Sequence, residues 1–170
     1  MSQGTEPARD PIAEAKRQWI AHGWASAADG MEMVTSLVRV HQLLDDRIDA
    51  VLRSYDLTFA RYEILRLLSF TRNGLLPMSK LGSLLQVHAA SVTSAVGRLE
   101  RQGFVTRKRS DADGRVVLAS ITRQGRSTVD RATVDLNADV FSNLPMDVTG
   151  LTDLLTAYRR HSGDIGAGEG

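Results

Sequence analysis

The amino-acid sequence predicts a mostly α-helical fold with one small β-hairpin, which places the chain in the α+β class. Apolar residues recur at helical steps of three and four over most of the chain. Two short segments rich in β-forming residues, Phe104–Arg107 and Val116–Ile121, interrupt that pattern. The polar residues between these segments include Asp113-Gly114, a dipeptide that is typical of hairpin turns.

The composition is ordinary for a globular protein and excludes several classes of function. Of the 170 residues, 42% are hydrophobic and 24% are charged. The chain has no cysteine, so disulfides, thiolate catalysis, cysteine metal sites and cysteine redox switches are excluded. It contains no apolar run of about 18 residues, and its start lacks the plan of a signal peptide. We therefore expect a cytoplasmic protein.

The charge is unevenly distributed along the chain. The net charge is +1, but residues 98–126 contain eight basic and three acidic residues, which gives this stretch +5 and the remainder −4. A local excess of this kind indicates an anion-binding face on an otherwise acidic body. Chance clustering on a solvated surface is the alternative.

The N-terminal region is expected to be an extension with one short helix, residues 1–30. The first nine residues look disordered. Asp10-Pro11 is a typical helix start, and the segment Ile12–Trp24 is predicted to be a helix that carries both tryptophans. Gly23 and then Ala28-Asp29-Gly30 are expected to break it.

A long helix is predicted from Met31 to Tyr55, where apolar residues form a narrow stripe. A stripe of this kind on a terminal helix often packs against a partner chain. Its members are Met33, Leu37, Val40, Leu44, Ile48, Val51 and Tyr55.

Three further helices are predicted in the middle of the chain. Thr58 is expected to cap a helix that runs to Phe70, and Ser79 to cap a short helix through Leu85. After a turn at residues 86–88, a helix runs from Ala89 to Gln102 and stops at Gly103. The last two helices have the dimensions of a helix-turn-helix.

After the hairpin, Thr122 is expected to cap a long helix to Phe141, and an amphipathic helix follows over residues 148–158. The glycine-rich tail is expected to be loose. This order predicts a winged helix-turn-helix domain at residues 57–121, a helical dimerisation region at 31–56 and 122–162, and a flexible tail at 163–170.

The two aspartates of the hairpin also suggest a calcium loop, but the spacing contradicts it. If Asp111 were position 1, Arg115 would occupy position 5, where an oxygen ligand is needed, and Val116 would occupy position 6, where glycine is needed. Helix, turn, helix, strand, charged hairpin and strand is instead the order of a winged helix, whose second helix enters the major groove.

The predicted recognition helix, residues 89–102, has one apolar side with Val92, Val96 and Leu99. Its other side is short-chained and hydroxyl-rich and carries Arg98 and Arg101. Small residues permit close approach to DNA, while arginine can bind guanine. A surface helix without a binding role is the alternative.

Residues 57–125 resemble the MarR (multiple-antibiotic-resistance regulator) family of winged-helix transcription factors. The matching motifs are Leu57-Thr58, Ser91-Val92-Thr93, Arg98-Leu99-Glu100, Gly103, Arg107-Lys108-Arg109, Asp113-Gly114-Arg115, Ile121-Thr122 and Gly125-Arg126. The resemblance implies a homodimer that represses transcription from a pseudo-palindromic operator, without a cofactor. It also implies that Asp113 pairs with an arginine and that Arg115 lies at the wing tip near the minor groove. The candidate DNA-contacting residues are Ser79, His88, Ser91, Thr93, Ser94, Arg98, Arg107, Arg109, Asp113 and Arg115.

The resemblance further implies release from DNA by a small ligand, often an aromatic acid. The candidate ligand-binding residues are Trp19, Trp24, His41, Arg61, Tyr62 and Glu63. Simple packing of an added helix is the alternative role for the tryptophans. The thiol-based peroxide sensing of part of the family is excluded, because cysteine is absent.

Metal binding and catalysis are not expected. The four histidines share no ligand spacing, and the chain lacks the common catalytic motifs. A non-specific or architectural winged-helix DNA-binding protein without an effector is the alternative to a specific regulator.

Overall fold

The computed structural model describes residues 10–166 and has seven α-helices and three β-strands within them. The predictions for residues 1–9 and for the end of the tail lie outside the described residues. The elements are α1 (Pro11–Ala21), α2 (Ala25–Leu52), α3 (Phe59–Phe70), β1 (Leu75–Pro77), α4 (Met78–Leu85), α5 (Ala89–Arg101), β2 (Val105–Arg109), β3 (Val117–Ile121), α6 (Arg123–Leu136) and α7 (Val148–His161).

The hydrophobic core lies where the C-terminal part of α2 meets helices α3 to α6 and the sheet. Leu65 and Leu68 of α3 and Leu81 of α4 are fully buried there, together with Leu99 of α5 and Leu136 of α6. The mostly helical fold with a small antiparallel sheet confirms the predicted class. This core joins the C-terminal half of α2 to α3 and α6, and the two helices of the helix-turn-helix, α4 and α5, pack on it as well.

The sheet has three antiparallel strands in the order β1-β3-β2. β2 and β3 form the predicted hairpin, with Arg107 opposite Ala119. β1 was not predicted, because three residues ending in proline carry too little periodicity to indicate a strand. Leu75 pairs with Ser120, and Pro77 with Leu118, so the sheet joins the wing to the start of α4.

The helix break expected at Gly23 is confirmed, although the helix predicted from Ile12 to about Trp24 ends a few residues earlier. α1 stops at Ala21, because Gly23 adopts a left-handed φ of +88°, and Trp24 is instead the residue that precedes α2. The expected break at residues 28–30 was wrong. Ala28 is buried, and Lys16 of α1 forms ion pairs with Asp29 and Glu32 at 2.8 and 2.7 Å, so packing on α1 offsets the low helix propensity of glycine here.

The predicted end of the long helix was slightly late, since α2 ends at Leu52 and a 3-10 turn covers Arg53–Tyr55. The apolar stripe divides into two halves. Its C-terminal members pack on the core, where Ile48 is buried, whereas Met33 and Leu37 of the N-terminal half are exposed.

The prediction that Ser79 caps a helix was wrong. α4 begins at Met78 directly after Pro77, and the side chain of Ser79 lies exposed in the first turn. The turn between α4 and α5 lacks glycine, so Gln86 takes the left-handed conformation, with φ at +54°. Such a residue costs about 1–2 kcal/mol, which the packing of α4 on α5 offsets.

The C-terminal helices begin as predicted. Thr122 Oγ1 accepts a hydrogen bond from the Gly125 N–H at 3.0 Å and so caps α6. The regular α-helix ends at Leu136 and continues as a π-helical segment, Asn137–Phe141. α7 runs three residues beyond the predicted Tyr158, and none of its residues is buried. Within residues 10–166, no helix is long and apolar enough to cross a membrane.

Candidate nucleic-acid interface

The outward side of α5 carries small polar residues and two arginines. Ser91, Ser94, Arg98 and Arg101 are exposed, while Val92 on the opposite side is buried. Among residues 10–166, neither arginine of this side forms an ion pair with a carboxylate. Their charges are therefore available to an anionic partner.

A groove of about 560 Å³ runs along the same side of α5. Arg61 of α3 lies in this groove, where its guanidinium donates hydrogen bonds to Gln102 Oε1 at 3.0 Å and to Thr58 Oγ1 at 3.3 Å. Both acceptors are neutral, so they orient the guanidinium without neutralising it. The groove is lined by Thr58, Arg61, Ala90, Ser91, Ser94, Ala95 and Arg98.

The base of the wing is tied to the recognition helix by Glu100 and Arg107. The Arg107 guanidinium donates to Glu100 Oε2 from Nε at 2.8 Å and from Nη2 at 2.5 Å, and the Arg107 backbone N–H donates to Oε1. The hydrogen bond from Arg107 lowers the pKa of Glu100 below its ordinary value. Arg107 was predicted as a DNA-contacting residue, but its bonds to Glu100 favour a role in bracing the wing.

The wing tip contains the expected pair of Asp113 and an arginine. Asp113 Oδ1 accepts from Arg115 Nε at 3.1 Å and from the Arg115 backbone N–H at 3.0 Å. These hydrogen bonds lower the pKa of Asp113. The Arg115 side chain is 91% exposed, and Arg109 donates to the Gly114 carbonyl at 3.2 Å. Arg109 and Asp113 therefore hold the hairpin, and Arg115 is presented to solvent.

The other predicted DNA-contacting residues are also exposed. Ser79 is exposed at the start of α4, and His88 is exposed immediately before α5. Thr93 is also exposed, but its hydroxyl donates to the Ala89 carbonyl at 2.9 Å. The turn at His88 thus leads directly into the recognition helix, and the pair of Glu100 and Arg107 joins that helix to the wing.

The six predicted ligand-binding residues do not meet in one cavity of the described chain. Trp19 and Trp24 form an edge-to-face pair with ring centroids 5.4 Å apart and line a groove of about 370 Å³ with Gly23, Ser26 and Ala27. His41 is exposed on α2, 3.3 Å from Asp45. Arg61 lies beside the recognition helix, as described above.

The two remaining candidates lie on α3. Tyr62 is buried, and its hydroxyl shares a hydrogen bond of 2.9 Å with the Thr133 hydroxyl of α6. Partial burial raises the pKa of the Glu63 carboxyl. Tyr62 thus connects two helices in the core.

Two connections were missed by sequence reasoning because their partners are distant in the chain. Gln102 Nε2 donates to both the carbonyl and the carboxylate of Asp56 at 2.8 Å, which ties the end of α5 to the turn before α3. Arg66 of α3 donates to the Val129 carbonyl at 2.9 Å and to Asp130 at 3.0 Å on α6. No periodicity signals such pairs, although the polarity of Arg66 within an apolar helix was a hint.

The described residues also contain no group of three or more histidine, cysteine, aspartate or glutamate side chains placed to hold a metal ion. A helix-turn-helix followed by a basic antiparallel hairpin that pairs with a third strand defines a winged helix-turn-helix protein.

Comparison with known proteins identifies the family. Residues 57–117 match the model of the MarR family. Sco5413, a MarR family transcriptional regulator from Streptomyces coelicolor, is 42% identical in sequence, and the match covers 82% of this chain and 99% of that one with a TM-score of 0.71. The chain belongs to the MarR family of transcriptional regulators, which are not enzymes.

Two other relatives are similar to parts of the chain. Sco3205 of Streptomyces coelicolor, whose crystal structure contains DNA, has the same fold at 22% identity and a TM-score of 0.70, over 84% of this chain and 91% of that one. The organic hydroperoxide resistance transcriptional regulator of Bacillus subtilis (strain 168) is 34% identical over 82 residues, which are 48% of this chain. That match spans about half of the relative, 54% of its length.

Proposed function

We propose that this protein is a homodimeric transcriptional repressor that binds a pseudo-palindromic operator and is released by a small aromatic ligand. The observation that carries the DNA-binding part is the outward side of α5, where Arg98 and Arg101 have no carboxylate partner among residues 10–166. Arginine without a carboxylate partner beside small polar residues is suited to phosphates and to guanine edges. In this proposal, residues 57–121 bind DNA, and residues 31–56 and 122–162 form the dimer.

The dimer is supported by apolar surface that the single chain leaves uncovered. α7 buries none of its residues within the chain, yet it exposes Leu151, Leu154, Leu155 and Tyr158 on one amphipathic helix. The N-terminal half of α2 exposes further apolar side chains. Contiguous exposed apolar surface on this scale is characteristic of an interface. The exposed residues of α2 are Met33, Val34, Leu37 and Val38.

A two-fold dimer would place two recognition helices on one face of the DNA. Half-sites would then lie one helical turn apart, about 34–36 Å. Such a dimer would occupy the operator and exclude other proteins from the same base pairs, which is our reason for proposing repression.

The wing contact is tested by Arg115→Ala. We expect the binding free energy for the operator to weaken by about 1–3 kcal/mol. The slope of log affinity against log salt concentration should become shallower by about 1, because one fewer side chain neutralises a phosphate. Asp113 does not prevent the contact, since its pair with Arg115 is solvent-exposed and such pairs are weak. Fluorescence anisotropy with a labelled duplex, taken from genomic fragments selected on the wild-type protein, measures both quantities.

The control for this measurement is Arg160→Ala, which removes an exposed arginine from the last turn of α7. It changes the net charge equally but lies on a helix outside the winged domain. Its affinity and salt slope should match the wild type. Equal binding by Arg115→Ala and wild type over the whole salt range would contradict the assignment of the wing.

The ligand part of the proposal is supported by the tryptophan groove. Trp19 and Trp24 offer an edge-to-face aromatic surface, and His22 stacks on Trp24 with centroids 6.0 Å apart. An aromatic ring can enter such a groove with favourable stacking, about 0.5–1.5 kcal/mol per aromatic pair beyond its buried area.

We expect an aromatic carboxylic acid to raise the thermal unfolding temperature of the wild type, because a ligand that binds only the folded state stabilises it. The prediction is checked with a panel of benzoic, hydroxybenzoic and cinnamic acids by thermal shift. Trp24→Ala should lose the shift. If no compound stabilises the wild type, or if Trp24→Ala responds equally, the ligand proposal is contradicted.

A non-specific or architectural DNA-binding protein is the second candidate. The side chain of Thr93 donates within its own helix, and Ser91 and Ser94 are short, so the face has few long groups that reach base edges besides Arg98 and Arg101. Phosphate contacts alone would give affinity without sequence preference. The ratio of operator affinity to random-duplex affinity separates the two candidates.

A further inference from the structure

Gly97 stands near the middle of α5, the recognition helix. Glycine weakens a helix interior relative to alanine, because it loses more conformational freedom on folding. Its presence therefore needs a reason, which is either a contact within the chain that a side chain would obstruct or an external partner that approaches closely.

The described chain itself does not require glycine at this position. A Cβ atom at Gly97 would meet only Arg101 Nη1, at 3.9 Å, which is ordinary contact with the flexible end of a side chain. The backbone is regular helix, and the glycines with positive φ within residues 10–166 lie elsewhere in the chain.

Gly82 on α4, in contrast, is a position where the surrounding chain restricts the space for a side chain. A Cβ atom at Gly82 would lie 3.3 Å from the Val87 carbonyl oxygen and 3.6 Å from Val92 Cγ2. There the neighbouring backbone of the turn limits the available space. At Gly97 no such limit exists in the described part of the chain.

The position of Gly97 on the helix points to the partner. Val92, Val96 and Leu99 define the buried side, and Gly97 lies at roughly 130° from the centre of that side at the usual 100° per residue. Ser94 precedes it by three residues and Arg101 follows by four, so both are its neighbours on the outward surface.

We infer that Gly97 is the point of closest approach between the backbone of the recognition helix and DNA, and that it sets the depth of the helix in the major groove. This inference rests on the proposed DNA binding. A methyl group at residue 97 would hold the helix away from the bases. The hydrogen bonds of Ser94 to base edges would lengthen, and such bonds weaken steeply with distance and angle.

The effect should depend on the DNA sequence. Contacts to base edges need full insertion of the helix, whereas the long side chains of Arg98 and Arg101 can still reach phosphates from a shallower position. Gly97 therefore acts as a residue that determines specificity: its replacement reduces operator binding more than binding to random DNA.

The test is Gly97→Ala in the full chain, with three measurements. We expect the thermal unfolding temperature to rise by about 2–4 °C, because helix propensity improves. We also expect operator affinity to fall by about tenfold or more, while affinity for a random duplex of equal length falls by less than about twofold. A folding defect cannot produce this combination, since stability and operator binding move in opposite directions.

If the wild type binds the selected operator, either of two results would contradict the inference about Gly97 without contradicting the proposed function. One is operator affinity of Gly97→Ala equal to that of the wild type. The other is a lower unfolding temperature, which would show that the chain itself needs the glycine. If the wild type prefers no selected fragment over random duplex, the proposed specific function fails, and this inference fails with it.

Discussion

Leu154→Asp is expected to convert the dimer to a monomer and to reduce operator affinity by about a thousandfold, the difference between specific and non-specific binding. Leu154 is 71% exposed in the single chain and lies on α7, which buries no residue of its own. In the proposed dimer its side chain would be buried, and an unpaired carboxylate there would oppose association. Light scattering measures the mass, which should fall from about twice 18.6 kDa to that of one chain.

Phe70→Asp is the matched control. Phe70 is 74% exposed, but it ends α3 beside the sheet rather than lying on α2 or α7. The same apolar-to-acid change should leave the dimer intact. If the protein were a monomer in either form, Leu154→Asp would alter a solvated surface position, where substitutions usually change stability by less than about 0.5 kcal/mol. An unchanged dimer for Leu154→Asp would remove α7 from the interface.

Gly125→Ala is expected to lower the free energy of unfolding by about 3 kcal/mol. A Cβ atom there would press far inside van der Waals contact with the Phe104 carbonyl oxygen, and it would lie 3.0 Å from the carbonyl carbon and 3.1 Å from Ile121 Cγ1. That carbonyl also accepts the Thr122 N–H at 3.0 Å. A methyl group at residue 125 would therefore force the start of α6 away from the Phe104 carbonyl and weaken the hydrogen bond between Thr122 and Phe104. Urea denaturation measures the change.

Arg123→Ala serves as the control for this substitution, because it lies exposed in the same helical turn. It should change the unfolding free energy by less than about 0.5 kcal/mol. Wild-type stability for Gly125→Ala would contradict the close packing of α6 on the start of the wing. The substitution of glycine by alanine is thus expected to destabilise the protein at residue 125 and to stabilise it at residue 97. The packing of the chain requires glycine at residue 125 but not at residue 97.

The central elements of the fold could be predicted because their signals are local. The cap at Thr122, the stop at Gly103 and the Asp113-Gly114 turn each depend on neighbours within a few residues. Residues 89–101 were predicted within one residue because the apolar positions repeat at the helical period without interruption.

The errors lie where contacts distant in sequence override local propensity. β1 exists because β3 offers hydrogen bonds to Leu75–Pro77. α2 continues through Gly30 because Lys16 of α1 binds Asp29 and Glu32. The periodicity of a single segment reveals neither interaction, because the two partners of each lie on different helices or strands.

The structure brings the predicted wing residues together and separates the predicted ligand-binding residues, while the roles of both sets stay predictions. The pairing of Asp113 with Arg115 follows from a separation of two residues, and a short hairpin tip permits few other arrangements. Arg61 and Tyr62 are consecutive, but the helix directs one to the recognition groove and the other to the core. Which side of α3 faces α5 or α6 is decided by packing, which the single sequence does not reveal.

The measurement that tests the central claim most directly is a salt titration of binding to two duplexes, one carrying a selected genomic fragment and one of random sequence. For a specific regulator, the fragment should bind at least about a thousandfold more tightly at physiological salt. The preference should persist as salt rises, while random-duplex binding disappears steeply. Equal affinities that fall together over the whole salt range would contradict sequence-specific regulation and favour a general DNA-binding protein.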